Sequence, residues 1–338
     1  VDSRTDYRLQ EVLNYVIASQ QADGGFPTYE YFPVWKPQNG WTVLPTSSPF
    51  ITSNILYSLL EIGDNSLDAV IQKGCSFLLD NMEFGGYYRF WPFKSKQHAV
   101  PLDMDDTSVS SYILERCGKP VDNKAILHLN RNAKGYYYTW LVPAKFLLKQ
   151  QPKMAARFAL ACAQGVFTRI LRHYFYTDYE PGVAANALLY LGQTPETQPC
   201  IQLIIDEILA NKYHLKFYED ELAVYYHIAR AYKHGITNFG VLIPTIMQRI
   251  KTRISTGAYI SELSRGMAAN TLIDFCVETD LATDIILTIA QGGMCPDKWL
   301  PQTYFASRDR NFLAGSPQYT AIVYAEACSK LLRLNNSN

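Results

Sequence analysis

The 338-residue sequence predicts an all-α fold, an (α/α)6 barrel of six inner and six outer helices forming one domain over residues 1–338. Three observations carry that prediction. Helical periodicity runs through nearly the whole chain, and segments apolar on one side alternate with segments apolar nearly all round. No Pro/Gly/Ser-rich linker and no sustained strand alternation interrupts them.

Leu9, Val12, Leu13 and Val16 recur at i, i+3, i+4 and i+7 and place a first outer helix near 6–20. An inner helix follows near 48–62. Leu67, Val70, Ile71, Gly74, Phe77 and Leu78 give the next outer helix near 66–80, and its inner partner lies near 105–117. Residues 120–150 are the least regular, with Tyr136, Tyr137, Tyr138 and Trp140 in a loop or short extended piece. Beyond them, outer helices are expected near 154–172, 197–210, 239–252 and 281–290. Inner helices are expected near 181–191, 218–233, 260–276 and 316–333. The runs Val183–Leu191, Leu222–Tyr232 and Ala321–Cys328 have no polar face, so burial on every side is required. A ring of six such helices inside six one-sided ones satisfies every face and leaves essentially no sheet.

Composition narrows the function. The chain is 48% hydrophobic and 18% charged, as expected of a globular protein. Lys plus Arg and Asp plus Glu both total 31, so no excess of basic charge exists to hold nucleic acid. Apolar runs are broken well before the roughly 18 residues a membrane span needs. Seven Cys without C-x-x-C spacing point to a reducing, cytoplasmic setting, and no signal peptide is visible at the start. The six His show no H-x-x-x-H spacing, and His227 and His234 read as packed or surface residues.

Inner helices of such a barrel start at one end, where free N–H groups and the positive dipole end attract acidic and polar residues. Each start complies: Thr46–Pro49, Asp103–Asp106, Asp178–Pro181, Tyr218–Glu221, Tyr259–Glu262 and Ser316–Gln318. Their convergence makes that mouth the expected pocket.

One start stands apart. Asp103-Met104-Asp105-Asp106-Thr107 puts three carboxylates in four residues before an apolar helix. Chance supplies D-x-D-D in a chain this long with a probability of roughly 0.05. Capping by Asp105 or Asp106 is one explanation, although one Asp suffices for that. Crowding and burial raise a carboxyl pKa while the helix N-terminus lowers it, and a carboxyl kept protonated can act as a Brønsted acid. A metal site is the third explanation, but no second acidic motif answers it.

D-x-D-D-T opening an inner barrel helix resembles the acid motif of class II terpene cyclases, the squalene–hopene cyclase type. The resemblance implies that Asp105 protonates a terminal alkene or epoxide, with Asp103 and Asp106 holding and polarising it. It also implies no cofactor, with Mg2+ entering only alongside a diphosphate substrate. The family's structural repeats are matched by Tyr15-Val16, Gln20 and Gly24-Gly25-Phe26, and by Lys73-Gly74, Phe77-Leu78, Met82 and Gly86-Tyr87-Tyr88. A degenerate third lies near Gln291–Trp299. The related protein prenyltransferase β-subunits need a Zn site, but Asp297 and Cys295 stand in the reverse order and no matching His follows. Most family members add a second helical domain, for which this chain has no room.

A carbocation on a polyene is stabilised by aromatic faces, each worth about 0.5–2 kcal/mol. The substrate-binding candidates are Trp41, Trp91, Tyr179, Tyr218, Tyr259, Trp299 and Tyr319, with Phe90, Tyr176, Phe217 and Tyr304 also near the mouth. The expected partner is a small apolar isoprenoid, with peripheral membrane contact and no nucleic acid. Arg89, Lys94 and Lys96 form either a diphosphate clamp or a solvated basic loop. Two other functions compete: a non-catalytic isoprenoid or lipid binder, and an (α/α)6 carbohydrate-active enzyme pairing Asp105 with Glu219 or Glu262.

Overall fold

The computed structural model describes residues 3–34, 40–44, 46–83, 85–92, 95, 100–141, 156, 178–256, 260–291 and 300–336. In chain order these form α1 (Ser3–Ala18), β1 (Tyr29–Tyr31), β2 (Thr42–Val43), α2 (Pro49–Ile62), α3 (Asp68–Asn81), α4 (Met104–Arg116) and a single turn α5 (Lys124–Leu127). There follow α6 (Pro181–Leu191), α7 (Gln198–Ala210), α8 (Glu221–Lys233), α9 (Ile243–Ser255), α10 (Glu262–Asp274), α11 (Thr279–Gln291), β3 (Thr303–Ala306), β4 (Leu313–Gly315) and α12 (Pro317–Asn336).

The inner ring closes. Helix α2 packs on α4, α4 on α6, α6 on α8, α8 on α10, α10 on α12, and α12 returns to α2. These are the segments that lack a polar face, and every residue of α6 is buried. The one-sided helices sit outside them, α1 against α12, α3 against α2, α7 against α6 and α11 against α10. The outer helix expected near 154–172 lies outside the described residues except at position 156, which is helical. Caps fix the shared starting end of the inner helices. Ser48 Oγ accepts from Phe50 N–H at 3.2 Å, Asp220 Oδ1 from Leu222 N–H at 3.1 Å, and Ser261 Oγ from Ser264 N–H at 3.1 Å.

The expectation of essentially no sheet does not hold. The chain carries a four-stranded antiparallel sheet in the order β2-β1-β4-β3, with Tyr29 opposite both Val43 and Gly315. Its strands come from the segments that lead into α2 and α12 at the mouth end. They are only two to four residues long, too short for a period-two pattern to show against the helical one. Their pairing satisfies backbone groups of β3 and β4, which carry buried residues at the mouth.

The opposite end is closed by charge. Glu61 meets Arg116 at 2.9 Å, Lys233 at 2.5 Å and His234 at 3.2 Å, and Lys330 meets Asp274 at 2.8 Å and Glu326 at 2.6 Å. Cations at inner-helix C-termini also complement the negative dipole ends there.

The repeat at Gln20 ties an outer helix to its neighbour. Its Nε2 donates to the carbonyls of Gly24 and Val70, both at 2.9 Å, joining the end of α1 to α3. Gly24 is required for this turn: its φ is +94°, and a Cβ there would lie 2.3 Å from the Lys73 carbonyl oxygen. The expected cost of Gly24→Ala is about 2 kcal/mol or more of unfolding free energy, from strain plus displacement of the α3 backbone. Urea unfolding of the purified variant checks this, and an unchanged midpoint would mean the turn is not fixed by that contact.

Candidate active site

Helix α4 places the three carboxyl groups. Asp103 is its N-cap, and Asp103 Oδ1 accepts from Asp106 N–H at 2.7 Å. The sequence-based capping role for Asp105 or Asp106 therefore falls to Asp103 instead. Met104 N–H donates to the Thr139 carbonyl at 2.7 Å, and Tyr88 N–H donates to Thr107 Oγ1 at 3.1 Å, anchoring the first turn from both sides. Asp105 and Asp106 are then free to face the barrel interior. All three are buried, at 7%, 6% and 2% exposure for Asp103, Asp105 and Asp106.

Asp105 is held by two donors from other inner-ring segments. Asn186 Nδ2 of α6 donates to Asp105 Oδ1 at 2.8 Å, and the Tyr218 hydroxyl donates to Asp105 Oδ2. Tyr218 is aimed by its backbone. Glu180 Oε2 accepts from Phe217 N–H at 2.8 Å and Lys216 N–H at 3.2 Å, pinning the loop that carries Tyr218. Gly182 leaves room for the ring, since a Cβ there would lie 2.8 Å from it. The Tyr218 ring packs edge-on against His227, at 4.7 Å between centroids.

Burial dominates the ionisation of this cluster. It raises Asp105 to about 7, against the opposing hydrogen bond from Tyr218; neighbouring Asp103 adds to the rise and Asn186 opposes it. Burial likewise raises Asp103 to about 6, and burial together with Asp103 pushes Asp106 well above the carboxylate range. His227 is driven well below its ordinary value by burial and then by Arg230, so it is neutral.

The carboxyl groups border a narrow, nearly filled cleft of about 10 Å³, lined also by Phe50, Phe90, Trp140, Phe217, Phe305, Thr139 and Val183. The rings form one aromatic wall. Phe305 stacks on Phe90 at 5.2 Å and on Phe217 at 6.0 Å, and Trp140 meets Phe217 edge-on at 5.4 Å. The β3–β4 hairpin supplies Phe305 and docks through Ala306 N–H to the Phe217 carbonyl at 2.7 Å.

The sequence-based candidates separate on this geometry. Asp103, Asp105, Asp106 and Tyr218 come together, Tyr218 through its hydroxyl rather than as an aromatic face. Phe90 and Phe217 line the cleft. Trp91 lies behind Phe90, 4.9 Å away and edge-on, and Tyr319 packs on Tyr304 at 4.7 Å, beyond the lining rings. Trp41 sits half-buried against Tyr31, and Tyr179 packs on Tyr136, both away from the cleft. Tyr259 and Trp299 lie outside the described residues, as do Tyr176, Lys94 and Lys96. Arg89 is no diphosphate clamp: it is buried and bidentate on Glu83, at 2.5 and 2.8 Å. Asn186, Phe50, Trp140 and Phe305 were not signalled by the sequence, since each is a lone residue that only the ring closure brings to α4. Among the described residues, no group of three His, Cys, Asp or Glu side chains is arranged to hold a metal ion.

The raised pKa values set a pH dependence of stability. A carboxyl whose folded pKa lies above its unfolded one binds more protons when folded. Its contribution to stability is full below the unfolded value of 3.8 and is lost as pH rises through about 7. Asp105→Asn removes that loss. The variant is expected to melt higher relative to wild type at pH 8 than at pH 5, and an offset independent of pH would contradict a buried, proton-holding Asp105.

No protein-family model and no curated protein sequence matches the chain. Solved structures do match in shape. A protein from Actinoplanes superposes at a TM-score of 0.68 with 13% identity, over 97% of this chain and 99% of that one. Type II terpene cyclase MstE from Scytonema, in complex with geranylgeranyl dihydroxybenzoate, gives 0.67 with 11% identity over 98% of each chain. An ent-copalyl diphosphate synthase from Streptomyces platensis gives 0.56 with 12% identity, over 84% of this chain and 50% of that one. The protein has a class II terpene cyclase-like fold.

Proposed function

We propose that the protein is a class II terpene cyclase, with residues 1–338 acting as one catalytic domain and Asp105 as general acid. One observation carries this: a buried carboxyl, raised to about 7, at a cleft walled by five aromatic rings. At neutral pH a substantial fraction of Asp105 is protonated, as the reaction requires. The π pair of a terminal alkene takes that proton and forms a C–H bond. The O–H electrons stay on Asp105, and the tertiary cation is attacked by the next double bond. Tyr218 and Asn186 hydrogen-bond the carboxylate left behind and so strengthen the acid. Asp103 and Asp106 hold the helix start and keep the site crowded with carboxyls. The last cation is quenched by losing a proton to solvent water, which leaves a double bond, and Asp105 takes up a proton from solvent, so the reaction is proton-neutral.

The aromatic wall supports the same reading. Ring faces of Phe50, Phe90, Trp140, Phe217 and Phe305 stabilise a passing cation while excluding water. With about 10 Å³ of cavity, room for little more than one water, the cleft is far below the usual range for ligand pockets, so a polyprenyl chain enters by parting these rings. The geranylgeranyl dihydroxybenzoate bound to MstE supports a prenylated substrate here. The site belongs to a cytoplasmic protein touching membranes only peripherally, through the exposed Val43 of β2 and the exposed Val34 and Leu300 on segments flanking the sheet. No described helix is long and apolar enough to cross a membrane.

The competing functions fit less well. An apolar-ligand carrier gains nothing from three buried carboxyls. For a carbohydrate-active enzyme, the second carboxylate is wanting: Glu219 is half-exposed and meets Arg310 at 3.5 Å, Glu262 is held by Gln302, and neither lines the cleft.

Incubation with squalene and polyprenyl diphosphates or prenylated benzoates, with products read by mass spectrometry, tests the assignment. Asp105→Asn is expected to lower turnover by about 10⁴-fold or more, at or beyond the upper end for general acid catalysis. Asp103→Asn and Asp106→Asn are expected to lose less. Wild-type turnover in Asp105→Asn would exclude this mechanism.

A further inference from the structure

Arg230 lies in the interior of the barrel without exposed surface. Other buried cations meet carboxylates: Arg89 meets Glu83, and Lys330 meets Asp274 and Glu326. Among the described residues, no carboxylate lies within ion-pair distance of Arg230. Its Nη1 donates to Asn54 Oδ1 at 2.9 Å, and its guanidinium lies over the Tyr57 ring at 3.7 Å, with the Tyr226 ring farther off at 5.3 Å. Among the described residues, Nε and Nη2 find no hydrogen-bond partner. An uncompensated buried charge is strongly destabilising, and one hydrogen bond and two ring faces offset that only in part.

A polar chain leads from this charge to the acid. Asn54 Oδ1 also accepts from the Tyr304 hydroxyl at 3.3 Å, and that hydroxyl lies 2.8 Å from His227 Nε2. His227 Nδ1 is 3.4 Å from Asn186 Nδ2, which donates to Asp105. The groups around the guanidinium are neutral phenols: Tyr57 from α2, Tyr226 from α8, Tyr304 from β3 and Tyr319 from α12. Glu326, reached through Tyr226 at 2.7 Å, is already matched by Lys330. Asp105 itself faces Asp103 and Asp106 from α4, Glu180 at the start of α6, and Tyr218. Those carboxyls oppose its ionisation, and Arg89, which opposes them, is paired with Glu83.

We propose that Arg230 is a positioning residue for the acid, its fixed charge favouring the ionised state that Asp105 reaches when it gives up its proton. The proposal rests on Asp105 being the proton donor. It explains why the barrel keeps a cation that nothing at hand neutralises: the matching anion is the one the reaction creates. In a low-dielectric interior such a charge acts over several ångströms without direct contact.

The test is an infrared titration of the Asp105 carboxylic acid band, identified by its loss in Asp105→Asn. Arg230→Gln is expected to raise the midpoint by about one pH unit or more, and Arg230→Lys to keep it near the wild-type value. Asn54→Asp neutralises the charge with the arginine still in place, and it is expected to raise the midpoint as Arg230→Gln does. It also keeps the test open should Arg230→Gln fail to fold. In turnover, Arg230→Gln should lower kcat at its low-pH plateau with KM unchanged, and move the alkaline fall of activity to higher pH. An Asp105 midpoint unmoved in a folded Arg230→Gln or Asn54→Asp variant overturns the proposal. The titration needs no substrate, so absence of isoprenoid turnover would overturn the proposed reaction while leaving this coupling to be decided by the midpoint alone.

Discussion

The 2.7 Å hydrogen bond from Asp106 N–H to Asp103 Oδ1 fixes where the acid helix begins. Because Asp103 satisfies the free end of α4, Asp105 and Asp106 sit in its first turn with their carboxyls available to the barrel interior. A helix start one residue later would turn Asp105 by about 100° around the axis, away from Asn186 and Tyr218. Every later feature depends on that placement. The ring of inner helices brings α6 and the loop before α8 to the same carboxyl, and the hairpin carries Phe305 over it.

Two opposing effects meet at Asp105. The positive end of α4, two donated hydrogen bonds and the charge of Arg230 all favour the carboxylate. Removal from water favours the acid, and it prevails. The balance keeps the group poised rather than fixed in one state. A carboxyl raised much further would hold its proton too tightly to protonate an alkene, and one left near its ordinary value would already have lost it at neutral pH. In the proposed reaction the aromatic wall contributes twice, by excluding water and by presenting ring faces to a developing cation.

The inner helices were legible because burial on all sides leaves a continuous apolar run, as in Val183–Leu191. The outer ones were legible because a single wet face imposes the helical period. The buried cluster of three carboxyls was legible because Asp103, Asp105 and Asp106 are close in the chain. The small sheet was not, since strands as short as Thr42–Val43 carry no period to read. Nor were Asn186, Phe305 and Arg230, each a lone residue whose neighbours are set by closure of the ring. Tyr218 was found for the wrong reason. Its position at the mouth suggested an aromatic face, while the structure uses its hydroxyl on Asp105. Trp41 and Tyr179 show the reverse, since lying near a helix start does not decide which way a side chain points.

Turnover in deuterated water tests the central claim most directly. Protonation by a solvent-exchanging Asp105 delivers one deuteron to the terminal alkene carbon, with the rest of the cyclised skeleton unlabelled. Mass spectrometry counts that deuteron and NMR locates it. A cyclised product carrying a single deuterium at the initiating carbon is the predicted result. A cyclised product without deuterium at that carbon would contradict initiation by Asp105.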